Sequence, residues 1–310
     1  MGVIAEPIAQ RPSKVRVTQL ASPARSGATF QEFISSLPDI FAGRDLRTIA
    51  ARIVEARRRQ RAVVVSCGGH VVKCGLAPVL ISLMEEGLIT ALVVNGALAI
   101  HDAELALFGA TSEDVVRGLQ TGSFGMATET AGFYNAAIAR ARDEGLGAGE
   151  ALGHALLEQD APHQAQSLLA AGYRLNIPVT VHIAIGTDIV HMHPGADGAA
   201  LGETSLRDFR ILTAAMRNLS GGGVLLNLGS AVVLPEVLLK AIALLRNETT
   251  DFSRFLGVNF DFIQQYRSNQ QVVTRVQAIG GEGIALTGHH EIMIPLLAFA
   301  VLEEWRGQQP

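Results

Sequence analysis

The sequence is poor in cysteine. Only Cys67 and Cys74 occur among 310 residues, and six residues separate them. This spacing matches neither a paired zinc motif nor the framework of a disulfide-rich domain. We therefore expect two free thiols and a reducing, cytoplasmic location.

Long apolar runs and an excess of basic charge are also missing. The longest apolar run, at 292–302, is shorter than the roughly 20 residues that a membrane-spanning helix needs. The net charge of −4 and the pI of about 6.1 provide no basic face for nucleic acid. The densest basic cluster, at 57–61, is typical of the solvated end of a helix. We expect neither a membrane nor a nucleic acid as a partner.

Charged residues make up only 17% of the chain, against 48% apolar residues, which is typical of a compact and heavily buried fold. The low surface charge also favours a homo-oligomer. Residues 1–27 are rich in Pro, Ser, Arg and Ala, and they predict a flexible N-terminal arm rather than a signal peptide. Residues 28–310 are expected to form a single domain.

Short aliphatic segments alternate with helical patterns along most of this domain. The alternation indicates βαβ units and predicts an α/β fold with a doubly wound, mostly parallel sheet of about six strands. Helical patterns alone at about 111–174 predict a helical insertion, and one helix is expected at 71–86. The predicted strands lie at 61–66, 89–94, 178–185, 223–227, 255–260 and 283–287.

Small and hydrogen-bonding residues follow each predicted strand. Because ligands of open α/β sheets bind beyond the carboxyl ends of the strands, these loops should ring one crevice. Glycine permits close backbone approach and helix N-termini suit phosphates, so the loops favour a nucleotide-type ligand, although ordinary turns use the same residues. The candidate cofactor-binding residues are Ser66, Cys67, Gly68, Asn95, Gly96, Thr187, Asp188, Asn227, Gly229, Asn259 and Gly288.

Seven of the nine histidines lie in or near these strand ends. Histidine titrates near neutrality, so the clustering suits acid–base catalysis or metal binding. In an extended loop, His191 and His193 would point the same way and, with Asp188, could bind a divalent metal. Asp197 and Glu203 could equally orient these histidines by hydrogen bonds. The absence of an H-E-x-x-H motif and of a cysteine pair argues against the metal.

Lys73 is one of three lysines in the chain and lies one turn into an apolar helix, beside the first predicted strand end. A partly desolvated lysine there could form an imine or hold a phosphate, and a snorkelling surface side chain is the alternative. His101 with Asp102 and Glu104 offers an imidazole oriented by a carboxylate. Because adjacent side chains on a helix diverge, Asp102 is expected to serve another partner.

Two common motifs are absent. No G-x-G-x-x-G follows a predicted strand, and the glycines at 221–223 precede one instead. No G-x-S-x-G elbow occurs, which argues against a serine hydrolase.

Three short motifs nevertheless occur in the order and spacing of a known family. They are Ile177-Pro178-Val179 followed by Thr187-Asp188, Gly221-Gly222-Gly223-Val224, and Ile294-Pro295-Leu296-Leu297. On these residues, the chain resembles the deoxyhypusine synthase family over 61–305. The resemblance implies a Rossmann-like sheet that binds NAD and a homotetramer with sites between subunits. It also implies transfer of an aminobutyl group from spermidine through an imine on a lysine.

The sequence departs from that family at its chemical centre. Spacing from Asn259 and Pro295 places the family's imine-forming lysine at 276–281, and no lysine follows Lys240. His289, His290 and Glu291 stand where the family has small and acidic residues. True deoxyhypusine synthesis is therefore not expected.

We interpret the chain as an NAD-binding enzyme of the deoxyhypusine-synthase-like superfamily. It would perform redox or group-transfer chemistry on a small molecule, with an amine as one candidate. His289 or His101 would act as general base, and Asp188 and Glu291 would orient groups or bind a cation. The catalytic candidates are Lys73, His101, Asp102, His289 and Glu291.

Two alternatives stay open. One is a metal-dependent hydrolase built on His191, His193 and Asp188. The other is aminobutyl transfer of the deoxyhypusine or homospermidine type, with Lys73 as a relocated nucleophile.

Overall fold

The computed structural model describes residues 2–307 and places a parallel sheet at their centre. Met1 of the predicted arm and residues 308–310 of the predicted domain lie outside the described residues. The described residues form a six-stranded sheet in the order β3-β2-β1-β4-β5-β6, with every pairing parallel. The strands are β1 (Val63–Cys67), β2 (Ala91–Asn95), β3 (Val179–His182), β4 (Val224–Leu228), β5 (Leu256–Asp261) and β6 (Glu282–Thr287).

Helices cover both faces of this sheet. They are α1 (Phe30–Ser36), α2 (Phe41–Arg58), α3 (Gly69–Lys73), α4 (Ala77–Glu85), α5 (Gly96–Phe108), α6 (Val115–Thr121), α7 (Thr128–Glu144), α8 (Ala148–Glu158), α9 (Leu168–Leu175), α10 (Gly198–Met216), α11 (Val233–Glu248), α12 (Tyr266–Ser268), α13 (Arg275–Ala278) and α14 (His290–Arg306). Shorter 3₁₀ turns lie at Ile8–Gln10, Val17–Gln19, Gln164–Gln166, Ile189–Met192 and Arg217–Leu219, and a π-helix lies at Asn269–Thr274.

The predicted fold class is confirmed. The chain builds β1, β2 and β3 outward on one side, then crosses to build β4, β5 and β6 on the other, which is the doubly wound Rossmann order. Helices α6 to α9 occupy the interval for which an insertion was predicted. In the described part of the chain, no helix is both long and apolar enough to span a membrane.

The prediction of a single helix at 71–86 is wrong in one respect. It is divided into α3 and α4, because Gly75 adopts a left-handed φ of 76° between them. Pro78 then lies in the first turn of α4, where its missing amide hydrogen is not needed. The break turns α3 into a short segment directly after β1.

The core lies on both faces of the sheet because the central strands are buried on both sides. Val63 and Val65 of β1 pack into a cluster that includes Leu80 of α4. Val64 points the opposite way, into a cluster that includes Leu238 of α11. A continuous apolar strand of this kind is what a covered parallel sheet requires.

Asp208 of α10 ties the edge strand β3 to helix α8. Its Oδ2 accepts hydrogen bonds from the amides of Val181 (2.7 Å) and Gly149 (3.0 Å). The side chain is buried, and this burial raises the pKa of Asp208 to about 7, partly opposed by the backbone hydrogen bonds. Ionised Asp208 is therefore disfavoured in the folded state.

This burial predicts a pH-dependent stability. An acid whose pKa is higher in the folded state binds more protons when folded, so it stabilises the fold as pH falls through about 7. Between pH 8 and pH 6, Asp208 should add about 1 kcal/mol to the free energy of unfolding. Denaturant unfolding at both pH values should show a smaller difference in Asp208→Asn than in the wild type. The exposed Asp251→Asn variant should keep the wild-type difference, and equal behaviour of the two variants would contradict the assignment.

Candidate functional site

The strand order reverses between β1 and β4, and the two backbones meet there. The Gly68 amide donates to the Leu228 carbonyl (3.0 Å), and the Gly229 amide donates to the Phe260 carbonyl (3.1 Å). A side chain on Gly68 would overlap the carbonyl of Gly229, so the close approach requires glycine. The loops after β1 and β4 thus lie backbone to backbone where open α/β sheets bind ligands.

A ladder of three polar side chains, Ser66, Asn227 and Asn259, crosses this reversal inside the sheet. The three residues are neighbours in register on β1, β4 and β5, and all are fully buried. Ser66 Oγ donates to Asn227 Oδ1 (3.2 Å), and Asn227 Nδ2 donates to Asn259 Oδ1 (2.8 Å) and to the Ser230 carbonyl (2.9 Å). The three side chains of the ladder, all predicted to bind a cofactor, therefore hydrogen-bond to one another. Their contact with a ligand stays a prediction.

Both cysteines are free thiols, as predicted. Cys67 is fully buried in the apolar core, and this burial raises the pKa of its thiol. Cys74 is half-buried, and burial together with the carboxylate of Glu291 raises its pKa as well. Both thiols are therefore protonated at neutral pH.

His101 of α5 is held in one tautomer by a relay of hydrogen bonds. The single hydroxyl hydrogen of Thr111 is donated to Glu104 Oε2 (2.5 Å), so Thr111 Oγ1 must accept from His101 Nδ1 (2.7 Å). Burial alone would raise the pKa of Glu104, but the nearby His101 imidazole and the hydrogen bonds from Thr111 and Thr130 together lower it, which keeps the carboxylate ionised. In the neutral imidazole, Nε2 then carries the lone pair and can act as a base.

Asp102 points away from this relay, as expected for adjacent residues on a helix. Its carboxylate is buried and accepts from Ser167 Oγ (2.5 Å) and from the amides of Leu168 (2.8 Å) and Leu169 (3.1 Å). Burial raises the pKa of Asp102 to about 6, partly opposed by these hydrogen bonds. The contacts are those of a residue that anchors the start of α9, and its catalytic role stays a prediction.

Asp188 and His191 each have a buried polar atom for which residues 2–307 offer no partner. Asp188 lies against Gly96, where a side chain would overlap its carboxylate, and burial raises its pKa, partly opposed by His191. His191 Nδ1 accepts from the amides of Gly186 (3.1 Å) and Asp188 (3.3 Å), so its Nε2 carries the hydrogen. Asp188 Oδ2 and His191 Nε2 have no hydrogen-bond partner within residues 2–307. A buried acceptor and a buried donor are thus available to a ligand.

The loop that carries His191 is not extended, because Ile189–Met192 forms a 3₁₀ turn. His193 turns to donate from Nε2 to the Gly125 carbonyl (2.8 Å), while His191 bonds the amides described above. Among the described residues, no group of three or more His, Cys, Asp or Glu side chains could hold a metal ion. The conformation of this loop therefore does not support the alternative of a metal-dependent hydrolase.

A second group of titratable residues lies where β5 and β6 end. His290, at the start of α14, is buried, and its Nε2 lies 3.5 Å from Asp261 Oδ1. Its Nδ1 has no partner in the described part of the chain, and its ring packs against the Cα of Gly229. His70 contacts it edge to face, with ring centroids 5.6 Å apart. Burial lowers the pKa of His290, partly opposed by Asp261.

His70, Asp261 and His290 were not among the candidates chosen from the sequence. His289 was chosen instead, and its side chain is 72% exposed, 3.9 Å from Glu291. Helix α14 begins at His290, so His289 is the exposed cap residue and His290 turns inward, which the sequence pattern did not reveal. The catalytic roles of His289 and Glu291 stay predictions.

The other predicted residues lie along the same edge of the sheet. Lys73 is exposed at the end of α3, so the partial desolvation expected for its side chain is not found. Asn95 Oδ1 caps α5 by accepting from the Leu98 amide (3.0 Å), and Thr187 Oγ1 donates to the Ala184 carbonyl (2.7 Å). The Gly288 amide donates to the Asp261 carbonyl (3.2 Å).

The loop after β1 lies between the titratable residues around Asp188 and His101 and those around His290. Gly69 packs against Ala97 and the ring of His101, whereas the next residue, His70, packs against His290. We call the resulting band, from Asp188 through His101 and His70 to His290, the edge site. It follows the carboxyl ends of the strands across the point where their order reverses.

The interval 276–281, where the resemblance places the family's lysine, lies elsewhere. It comprises the end of α13 and the turn into β6. In an all-parallel sheet this is the amino edge, opposite the edge site. The absence of a lysine from this interval therefore does not remove a catalytic side chain from the edge site.

Comparisons with known proteins support the same fold. Residues 47–131 match the model of the arginine dihydrolase ArgZ-like family, C-terminal domain, Rossmann fold. None of the curated proteins matches the sequence. The family match covers β1, α3 to α5 and β2, and thus the centre of the edge site.

Solved structures with a similar fold include the following three proteins. A conserved protein of the LOR/SDH type from Methanococcus maripaludis S2 has a TM-score of 0.53 at 16% identity, covering 86% of this chain and 71% of that one. AgrE, solved as a ternary complex with ornithine and NAD+, has a TM-score of 0.52 at 18% identity, covering 83% of this chain and 32% of AgrE. A protein assigned as a deoxyhypusine synthase, from Entamoeba histolytica, has a TM-score of 0.50 at 11% identity, covering 89% and 94%.

These likenesses establish the fold. It is shared with a protein of the deoxyhypusine synthase type, as the sequence resemblance implied. This chain spans about a third of the length of AgrE.

Proposed function

We propose that the protein is an NAD-dependent enzyme that performs redox or group-transfer chemistry on a small molecule, with an amine as the leading substrate class. The observation that carries the proposal is the meeting of Gly68 and Gly229 at the strand-order reversal, flanked on both sides by titratable groups. This is the position at which doubly wound sheets bind dinucleotides. The NAD+ complex of AgrE, a neighbour in fold, adds support.

The residues of the edge site fit a dinucleotide. His290 Nδ1, Asp188 Oδ2 and His191 Nε2 are buried polar atoms with no partner among residues 2–307, and they flank the loop after β1. Ribose hydroxyls and a carboxamide carry both donors and acceptors, so they could satisfy such atoms. These residues, with the backbone of Gly68, would hold the cofactor.

The edge site also fits the oxidation of an amine. Oxidation of an amine carbon to an imine releases a hydride and a proton, and bound NAD would accept the hydride. The lone pair of His101 Nε2 is suited to take the proton, because the Thr111 and Glu104 relay fixes the opposite nitrogen as a donor. The unpartnered Oδ2 of Asp188 could accept a hydrogen bond from an ammonium group.

Transfer of the oxidised group would need a nucleophile. Lys73 is the candidate: it lies at the end of α3, close enough to Cys74 for its charge to act on that thiol. An exposed lysine could form an imine with a carbonyl or imine carbon. We assign group transfer to Lys73 within the proposal.

We further propose that residues 28–310 form a single domain and that the protein assembles as a homo-oligomer. The family resemblance implies a homotetramer. Apolar side chains beside the second group of titratable residues are exposed, and burying them would exclude water from the site. They are Phe262 (47%), Ile263 (53%), Tyr266 (69%) and Ile292 (63%).

Binding of NAD and NADH tests the core of this proposal. Calorimetric titration of the purified protein should show saturable binding. Gly68→Ala should weaken it at least about tenfold, because the new methyl group must push away the Gly229 carbonyl and shift both loops.

Gly132→Ala is the matched control. In the described part of the chain, nothing lies within 4 Å of the new methyl group, and alanine suits the interior of α7 better than glycine. This variant should bind NAD as the wild type does. Absence of saturable binding would refute NAD binding, and equal affinity of folded Gly68→Ala and wild type would refute the location.

A further inference from the structure

A pocket at the amino edge of the sheet, opposite the edge site, is lined by four arginines. We call it the amino-edge pocket. Arg52 lies within α2, and Arg59 caps the end of that helix. Arg61 precedes β1, and Arg254 precedes β5. Because the chain as a whole carries a net charge of −4, this concentration of guanidinium groups is a local reversal of sign.

The arginines are only partly neutralised. Arg52 pairs with Glu282 (2.6 Å), the acidic residue of the lining, and Arg59 pairs with Glu55 (2.9 Å). Arg61 donates to the neutral Asn218 Oδ1 (3.1 Å) instead of a carboxylate. Positive charge therefore remains for an anion in the pocket.

Arg254 lies on the pocket wall and has an uncommon backbone conformation. It has a left-handed φ of 56°, which non-glycine residues rarely adopt and which is concentrated at functional positions. Its side chain is exposed on the pocket wall.

Two glycine turns complete the wall without side chains. Gly221 and Gly222 have φ values of 80° and 126°, and Gly280 has a φ of 86°. Because these turns carry no side chains, an anion can approach the guanidinium groups closely, whereas the amides of Gly221 and Gly280 already donate to backbone carbonyls. The three glycines at 221–223 precede a strand, so on their own they do not form a phosphate-binding loop. The tertiary fold nevertheless places this loop at a basic pocket.

We infer that the amino-edge pocket binds a small molecule through a phosphate or diphosphate group. Guanidinium forks match the geometry of phosphate oxygens and bind them through paired hydrogen bonds. Several arginines around one space favour a group with more than one negative charge. The site is separate from the edge site, because it lies at the opposite ends of β1, β4, β5 and β6.

Titration with pyrophosphate and with inorganic phosphate, followed by calorimetry, tests this inference. Wild-type protein should bind pyrophosphate saturably and more tightly than phosphate. Arg254→Gln should weaken pyrophosphate binding by about tenfold, because charge-assisted hydrogen bonds are lost. Glu282→Gln should strengthen it several-fold, because Arg52 is then released to the anion.

Arg210→Gln, at an exposed arginine of α10, is the matched control and should bind as the wild type does. Thermal melting should confirm that each variant is folded. Absence of saturable pyrophosphate binding, or equal affinity of folded Arg254→Gln and wild type, overturns the inference.

A competition experiment distinguishes the pocket from a dinucleotide site. Pyrophosphate should still bind when NAD is present at saturation. Displacement of pyrophosphate by NAD would place both at one site and would overturn the inference.

Discussion

Replacing His101 by Gln is expected to lower kcat for NAD reduction by at least about 100-fold while leaving NAD affinity unchanged. Glutamine cannot accept a proton at the position of Nε2, so the proton released from the substrate amine would have no base. The measurement is NADH formation with spermidine and other small amines, combined with NAD titration of the same variant. A variant that keeps wild-type kcat would contradict the role of His101.

The relay behind His101 provides a graded control. Thr111→Val removes the acceptor for His101 Nδ1 and the donor for Glu104, so kcat should fall and the pH profile should shift. Thr111→Ser keeps the hydroxyl and should restore both. His163→Gln, at an exposed histidine, should behave as the wild type does. Failure of Thr111→Ser to restore kcat would show that the hydroxyl is not what positions the imidazole.

Asn227→Ala is expected to lower the free energy of unfolding by about 4 kcal/mol, since three buried groups each lose a partner at about 1 to 3 kcal/mol. These groups are the hydroxyl of Ser66, the carbonyl of Ser230 and Oδ1 of Asn259. Denaturant unfolding measures the change. Asn247→Ala, at an exposed position, should alter stability by less than about 0.5 kcal/mol.

The direction of the hydrogen bonds gives this prediction a second test. Asn227→Asp keeps an acceptor for Ser66 but places a carboxylate oxygen against two other acceptors. It should therefore destabilise the protein at least as much as Asn227→Ala. A stable Asn227→Asp variant would show that the ladder is not bonded as described.

The strands could be predicted because the apolar pattern alone determines where a doubly covered sheet runs. The clearest exception is β3, which was expected over 178–185 and ends at His182. It lies at the edge of the sheet, and the amide of Ile183 bonds Ser205 Oγ (3.0 Å) instead of continuing along the strand. Apolar residues that follow an edge strand therefore continue the sequence pattern of the strand, although they do not belong to it.

The edge site could be predicted as a place, but its internal contacts could not. The rule that ligands bind beyond strand ends located the loops correctly, because it depends only on parallel order. The choice between His289 and His290 depends on the residue at which α14 begins. The ladder joins residues 161 and 32 positions apart, and no local pattern records such pairings.

The ladder of Ser66, Asn227 and Asn259 has a consequence for motion. It links the half of the sheet built from β1 to β3 with the half built from β4 to β6. A hinge between the halves would strip buried polar groups of their partners, so the halves should melt as one cooperative unit. In the proposed function, ligand entry would then depend on movement of the loops that follow the strands, because the sheet itself stays rigid.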